Sequence, residues 1–454
     1  QINNKDEVVF AMVQTLNKEK NLNIFPKDYF DYIIIDEVHH GGAKTYQSIF
    51  EYFKPKFLLG ITATPERTDD FNIYQLFNYN VAYEIRLQDA MKEELLCPFH
   101  YFGISDIVID GKTVKAQVPI IISASRSTDI PAFYADWFFD RLEKGYSAWT
   151  NPFNGVKSYV SYENTRFIVF WSKNPRPLLP YLHILKERNI KCYIQYTLND
   201  YEGYQLEKVP PLSTRIETFK LLVKELGVGS IIWRFDPMIL TDDISIETLL
   251  DKVKGIGDSL LGYTEKLVFS YADITTYKKV KYNLEKSGVP YHEWTEEQMQ
   301  EFAAKLSEMN RERGWNYQLA TCSEKIDIEK YGILHNRCID ADLITRLAWD
   351  DKRLMDFMKV KVKPMPSPSL FDDADDLLPE GAIRLPHNQY FISVHKKDPG
   401  QRALCGCMAA KDIGEYNTCP HLCEYCYANT TKERAIENWK RHQQNRNADT
   451  ITGK

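Results

Sequence analysis

Between residues 118 and 321 six short apolar runs alternate with amphipathic stretches of helical periodicity. Such alternation argues for parallel α/β structure, because a parallel strand can rejoin its sheet only after a long, usually helical, crossover. The pattern predicts strands at 118–123, 167–171, 192–197, 230–235, 266–271 and 317–321. Helices are expected at 131–144, 178–188, 214–226, 246–261, 275–287 and 296–313, with Gly227, Gly288 and Gly314 where C-caps belong. Six such units can form a partial (βα)6 barrel of the TIM type, a fold that gathers chemistry at the C-terminal ends of its strands.

Each expected strand runs into hydrogen-bonding residues. Ser125-Arg126-Ser127-Thr128-Asp129 follows the first, Ser172-Lys173-Asn174 the second and Thr197-Leu198-Asn199 the third. Arg234-Phe235-Asp236 ends the fourth, Tyr271-Ala272-Asp273 the fifth and Cys322-Ser323-Glu324 the sixth. As a set they favour a pocket. Arg126, Asp129, Lys173, Arg234 and Asp236 are the candidate catalytic residues, and Lys173 and Asn199 candidate cofactor contacts. The cations Arg126, Lys173 and Arg234 suit a carboxylate. Taken singly, each also has the plainer reading of a structural ion pair, such as Arg234 with Asp236.

The run Cys419-Pro-His-Leu-Cys423-Glu-Tyr-Cys426 sets three thiols at short spacing with an aromatic before the last. Three thiolates can hold three irons of a [4Fe-4S] cubane and leave the fourth open to a ligand from outside the protein. Zinc is the alternative, with His421 or a remote cysteine as fourth ligand, although zinc motifs usually pair two short cysteine knuckles and only one is obvious. Four further thiols, Cys322, Cys338, Cys405 and Cys407, suffice for a second, closed site. An auxiliary [4Fe-4S] cluster is the preferred reading there; zinc and ordinary buried thiols stay open. Nine cysteines, an odd number, in a chain with no signal peptide argue against a disulfide framework and for a reducing, cytoplasmic compartment.

Near the N-terminus, Tyr32-Ile-Ile-Ile-Asp36-Glu37-Val-His-His40 is a β-rich run ending in two acids, and Phe57-Leu-Leu-Gly-Ile-Thr62-Ala-Thr64-Pro65 a second run ending in hydroxyls. An acid pair at a strand end can hold Mg2+ and orient the water that attacks a γ-phosphate. Together the two runs resemble motifs II and III of superfamily 2 DEAD/DEAH-type helicases over about residues 1–110. The resemblance implies a RecA-like fragment, residues 1–115, with Asp36, Glu37, Thr62 and Thr64 as nucleotide contacts. No Gly-x4-Gly-Lys-Ser/Thr loop precedes Asp36, and Gly41-Gly-Ala-Lys-Thr45 follows the acids with the wrong glycine spacing. Mg-ATP would therefore bind only if the missing parts were supplied, and the segment reads as a truncated helicase, with an inactive interaction module or a gene rearrangement as alternatives.

Residues 363–369 are Pro-rich and 372–376 acidic, which predicts a linker over 363–385 and a cysteine-bearing segment over 386–454. Residues 435–445 suit a polar closing helix with a solvated surface. A net charge of −6 gives no global attraction to nucleic acid, and no apolar run approaches the roughly 20 residues that span a bilayer, so no membrane partner is expected.

The cysteine triad, with Tyr425 in the aromatic place, resembles the Cys-x3-Cys-x2-Cys loop of radical SAM enzymes. From Ile122-Ser-Ala-Ser-Arg-Ser-Thr-Asp129 through Phe170-Trp-Ser-Lys-Asn-Pro175 to Gln401-Arg402 and Tyr416-Asn-Thr-Cys419, the chain also resembles an uncharacterised bacterial and archaeal family, over about residues 118–445. These resemblances imply one or two [4Fe-4S] clusters, S-adenosylmethionine, a deoxyadenosyl radical acting on an unknown substrate, and an electron donor such as flavodoxin or ferredoxin. The usual radical SAM loop follows the first strand, so a C-terminal loop would have to reach the barrel mouth. The competing expectation is a module bound to DNA or RNA in which iron-sulfur or zinc sites are structural.

Overall fold

In a computed structural model of the chain, the described residues are 8–62, 72–82, 103–150, 156–322, 324–366, 378–393, 396–398, 401 and 404–454. They fall in two units, residues 1–97 and 98–454.

In the first unit the two apolar runs form a parallel pair, Tyr32–Ile35 beside Phe57–Gly60, with the helix Lys44–Tyr52 as the crossover. A short 3-10 turn, Val38–Gly42, follows the acids. Two small apolar groups hold the unit, one of Leu22, Phe25, Ile49 and Phe53, the other of Ile35, Val38 and Ile73.

The second unit is built on one parallel sheet. Its strands are β1 (Ile121–Ala124), β2 (Phe167–Ser172), β3 (Lys191–Thr197), β4 (Ile231–Met238), β5 (Lys266–Tyr271), β6 (Gln318–Thr321), β7 (Leu334–His335) and β8 (Lys411–Asp412). They lie in the order β7-β6-β5-β4-β3-β2-β1-β8, and every neighbouring pair is parallel. The six strands expected from sequence thus occupy consecutive places. Among the crossovers are α1 (Ala135–Lys144), α2 (Leu182–Glu187), α3 (Leu212–Leu226), α4 (Ile246–Ser259), α5 (Lys278–Lys286) and α6 (Glu296–Glu312).

Strand alternation divides the interior. Ile122, Ile168, Ile194, Trp233 and Phe269 point to the face covered by the crossover helices, through Phe138, Leu185, Phe219, Leu249, Val253 and Phe302. Ile121, Phe167, Val169, Tyr193, Ile232 and Val268 point the other way and pack on α7 (Ala341–Ala348) and α8 (Lys352–Met358) through Ile344, Leu354 and Met358. With both faces buried, the strands are largely apolar, and the polar side chains inside them, Gln195 and Arg234, are themselves buried.

Three differences from the sequence reading stand out. The first strand begins at Ile121 rather than at residue 118. A separate four-stranded sheet, Ile104–Ile109, Lys112–Gln117, Lys157–Ser161 and Tyr146–Thr150, precedes and interrupts the repeat. The expected linker opens as strand, because Lys363–Pro364 pairs with Gln389–Ile392 in a three-stranded sheet completed by Ala382–Leu385. The acidic run 372–376 lies outside the described residues.

Candidate metal centre

The C-terminal ends of the sheet open into a cavity of about 460 Å³, lined by residues within or just after β1 to β6 and by seven cysteines. The tail reaches it through β8, which adds in parallel to the free edge of β1 and aligns Asp412 with Ser123. The Asp412 carboxylate accepts from Ser123 Oγ at 2.9 Å, from the Arg126 amide at 3.0 Å, and from Ser125 Oγ. Further on, Thr128 Oγ1 donates to the Glu415 carbonyl at 2.8 Å and the Tyr134 hydroxyl to the Thr418 carbonyl at 2.6 Å. The loop after β1 and the cysteine loop are thereby laced together.

Cys419, Cys423 and Cys426 all line this cavity. Asn429 Nδ2 donates to the Cys419 carbonyl at 2.8 Å, and the Cys426 amide to the Cys423 carbonyl at 3.2 Å. Burial pushes the Cys419 thiol up to about 12 and the other two upward as well. Below them, Lys173 Nζ donates to Glu207 Oε2 and to the Tyr425 hydroxyl, each at 2.8 Å, while Tyr425 donates to the same carboxylate. Arg215 adds a second cation 3.8 Å from Glu207. Burial raises the Glu207 carboxyl, but Lys173 and Arg215 outweigh it and hold the group below its ordinary range.

His421, the candidate fourth zinc ligand, is otherwise engaged. Its Nε2 meets Asp129 Oδ2 and its Nδ1 the Lys208 carbonyl, both at 2.8 Å, so each ring nitrogen faces an oxygen acceptor rather than a metal position. Asp129 is fully spent too, accepting from Ala132 N, Ser172 Oγ and Lys173 N.

Across the cavity Cys322 and Cys338 bring their sulfurs to 3.2 Å. Cys407 Sγ accepts from the Cys338 amide at 3.2 Å and touches both Cys338 and Cys405. Arg234 reaches Cys338 Sγ at 3.2 Å and Cys322 Sγ at 3.4 Å while paired with Asp236. The guanidinium groups of Arg126 and Arg234 both lie over the Trp171 ring, at 5.3 and 5.5 Å. Among the described residues no three His, Cys, Asp or Glu side chains surround a point where a single ion would sit. The thiols are gathered, but in contact with one another or spread along the cavity wall.

The structure thus brings Arg126, Asp129, Lys173, Arg234, Asp236 and the seven cysteines to one cavity. Asn199 lies beneath it, fully buried, its side chain spent on the Asp236 backbone and Tyr425. Asp412, Glu207 and Asn336, which donates to both Cys322 and Cys338, were not singled out from sequence. The position of Asn336 two residues before a cysteine was the one visible hint.

In the first unit, His39 Nδ1 lies 3.0 Å from Thr62 Oγ1 and 3.0 Å from Glu37, so the acid run and the described part of the hydroxyl run are joined. Thr64 lies outside the described residues.

Fold and site together define a parallel α/β protein whose strand ends share a cavity with two groups of cysteines. The family described as domain of unknown function (DUF1848) matches residues 121–428, and the chain belongs to it. Residues 1–67 match the family described as type III restriction enzyme, res subunit. The first region is similar to a putative ATP-dependent RNA helicase of Acanthamoeba polyphaga mimivirus, 38% identical over 96 residues, 21% of this chain and 18% of the relative. It is also similar to the type I restriction enzyme EcoAI endonuclease subunit of Escherichia coli, 33% over 123 residues, 25% of this chain and 15% of the relative. A putative ATP-dependent helicase of Saccharomyces cerevisiae, IRC3, is 28% identical over 116 residues, 24% of this chain and 16% of the relative. The chain spans about a fifth or less of each of these three. No solved structure matches. The first unit is helicase-like. No described helix is long and apolar enough to cross a membrane.

Proposed function

We propose that the second unit is a radical SAM-type iron-sulfur enzyme in which Cys419, Cys423 and Cys426 hold a [4Fe-4S] cluster with one iron left open. The observation that carries this reading is the place of the cysteine loop. It leaves β8, the strand laid beside β1, and opens onto the cavity at the strand ends. The donor set fits the group: three thiols on one loop, and a neighbouring histidine already committed to Asp129 and Lys208. We also read the sheet as a partial (βα)6 barrel. Its sequential strand order supports this, as does the fact that residues from both ends of the sheet line one cavity.

Bound there, the cluster would supply an electron for reductive cleavage of S-adenosylmethionine to a deoxyadenosyl radical. The chain's residues do the rest. Arg126, which lines the cavity over the Trp171 ring and beside Cys407, Cys338 and Cys405, would be the partner for the methionine carboxylate. Lys173 holds Tyr425 behind the thiols and offsets their charge. The electron would come from a small donor such as ferredoxin or flavodoxin. The test is iron and sulfide analysis of the anaerobically purified chain, followed by 5'-deoxyadenosine release on reduction with S-adenosylmethionine. Colourless protein with stoichiometric zinc sinks the proposal. Arg126→Ala should keep the iron and weaken S-adenosylmethionine binding at least tenfold.

For the first unit we propose helicase-type association with DNA or RNA, with Asp36 and Glu37 serving Mg-ATP only alongside a phosphate loop supplied from elsewhere. Nucleic-acid binding should be lost when residues 1–97 are deleted; binding that survives the deletion contradicts this assignment.

A further inference from the structure

We infer that Cys322, Cys338, Cys405 and Cys407 form a second iron-sulfur site, closed by four thiolates and separate from the loop at 419–426. The four come from three segments: Cys322 leaves β6, Cys338 follows β7, and Cys405-Gly-Cys407 precedes β8 at the opposite edge of the sheet. Their convergence is a product of the fold, since nothing in chain proximity brings residue 322 to residue 407.

The surroundings of these sulfurs differ from those of an ordinary buried thiol. Cys192 is such a thiol, buried among the apolar residues of the helix-covered face. Around the four, polar donors converge on sulfur. Arg234 addresses two of them, and Asn336 Nδ2 lies 3.2 Å from Cys322 Sγ and 3.1 Å from Cys338 Sγ. The amides of Cys338 and Ile339 point at Cys407 Sγ from 3.2 and 3.5 Å. A neutral thiol is a weak acceptor and gains little from such company. A metal-bound thiolate is an anion, and donors and cations around it are what stabilise it and tune a cluster's potential. Close approach of the chain is built in as well, because a Cβ on Gly406, between two of the cysteines, would meet the Arg337 side chain at 2.8 Å. The four cysteines also line the same cavity as Cys419, Cys423 and Cys426.

The experiment uses the full chain, purified anaerobically, with Cys419, Cys423 and Cys426 all replaced by Ser. Iron and acid-labile sulfide should fall to half the wild-type content, and the remainder should give an EPR signal on reduction. The pair Cys322→Ser with Cys338→Ser should remove the other half. Zinc, or no metal, in the triple variant overturns the inference. Full wild-type iron in the triple variant would instead fail the first site while leaving the second standing. Should the paired variant not fold, Asn336→Ala keeps every ligand and should lower the midpoint potential of one of two EPR signals without moving the other. Two unmoved potentials overturn the inference.

Discussion

Glu207, close to the three thiols, is paired with two cations, Lys173 at 2.8 Å and Arg215 at 3.8 Å, on a side chain 2% exposed. Glu207→Gln would leave two buried cations facing each other, a change expected to cost about 3–5 kcal/mol in urea unfolding. Its carboxyl is held low, so its stabilisation is complete above the unfolded-state value near 4.3 and is lost as pH falls through the folded-state value. Glu415 behaves oppositely. Burial pushes its carboxyl up to about 7, so the folded state keeps a proton that the unfolded chain releases. Stability should therefore decline as pH rises from about 4.3 toward 7, and Glu415→Gln should remove that slope and add about 2 kcal/mol at pH 8. A pH series of unfolding midpoints in both proteins checks the sign.

At the scale of elements, the tail helix α9 (Lys432–Gln444) clamps the cysteine loop. Asn438 donates to the Asn417 carbonyl at 2.8 Å, and Trp439 packs edge-on against Phe133 and Tyr134. Trp439→Ala should cost about 2–4 kcal/mol and reduce iron loading, whereas Thr431→Ala, which removes the N-cap to Arg434, should cost about 1 kcal/mol. The sequence placed this helix within three residues but gave it a solvated surface. Its polar composition hides Ala435, Asn438 and His442, which are buried in the structure, two of them through polar groups that no hydropathy pattern flags. The six main strands were legible because each is an apolar run buried on both faces. The four-stranded sheet at 104–161 was not, since its half-exposed strands mix Ser, Lys and Thr among apolar residues. Two-residue strands such as β8 carry no period at all. In the site, cysteines announce themselves by chemistry, whereas Glu207 is a single acid in a loop and Asp412 one in a two-residue strand, each made significant only by what folds against it.

At the scale of the whole molecule, each unit has apolar groups of its own, drawn from residues 9–77 in the first and 120–451 in the second. A chain starting at Pro98 should accordingly keep a cooperative unfolding transition of its own; a fall of several degrees in its midpoint, measured by calorimetry, would contradict a self-sufficient second core. One contact governs how the second unit is made. Ser123 and Asp412 meet across 289 residues, and closing so wide a span comes late, after the helices and local strand pairs have formed. A ribosome delivers the sheet long before it delivers β8 and the loop beyond. Under the proposed function, a cluster could load only after residues 411–426 had been made, and until then the first strand would keep an open edge.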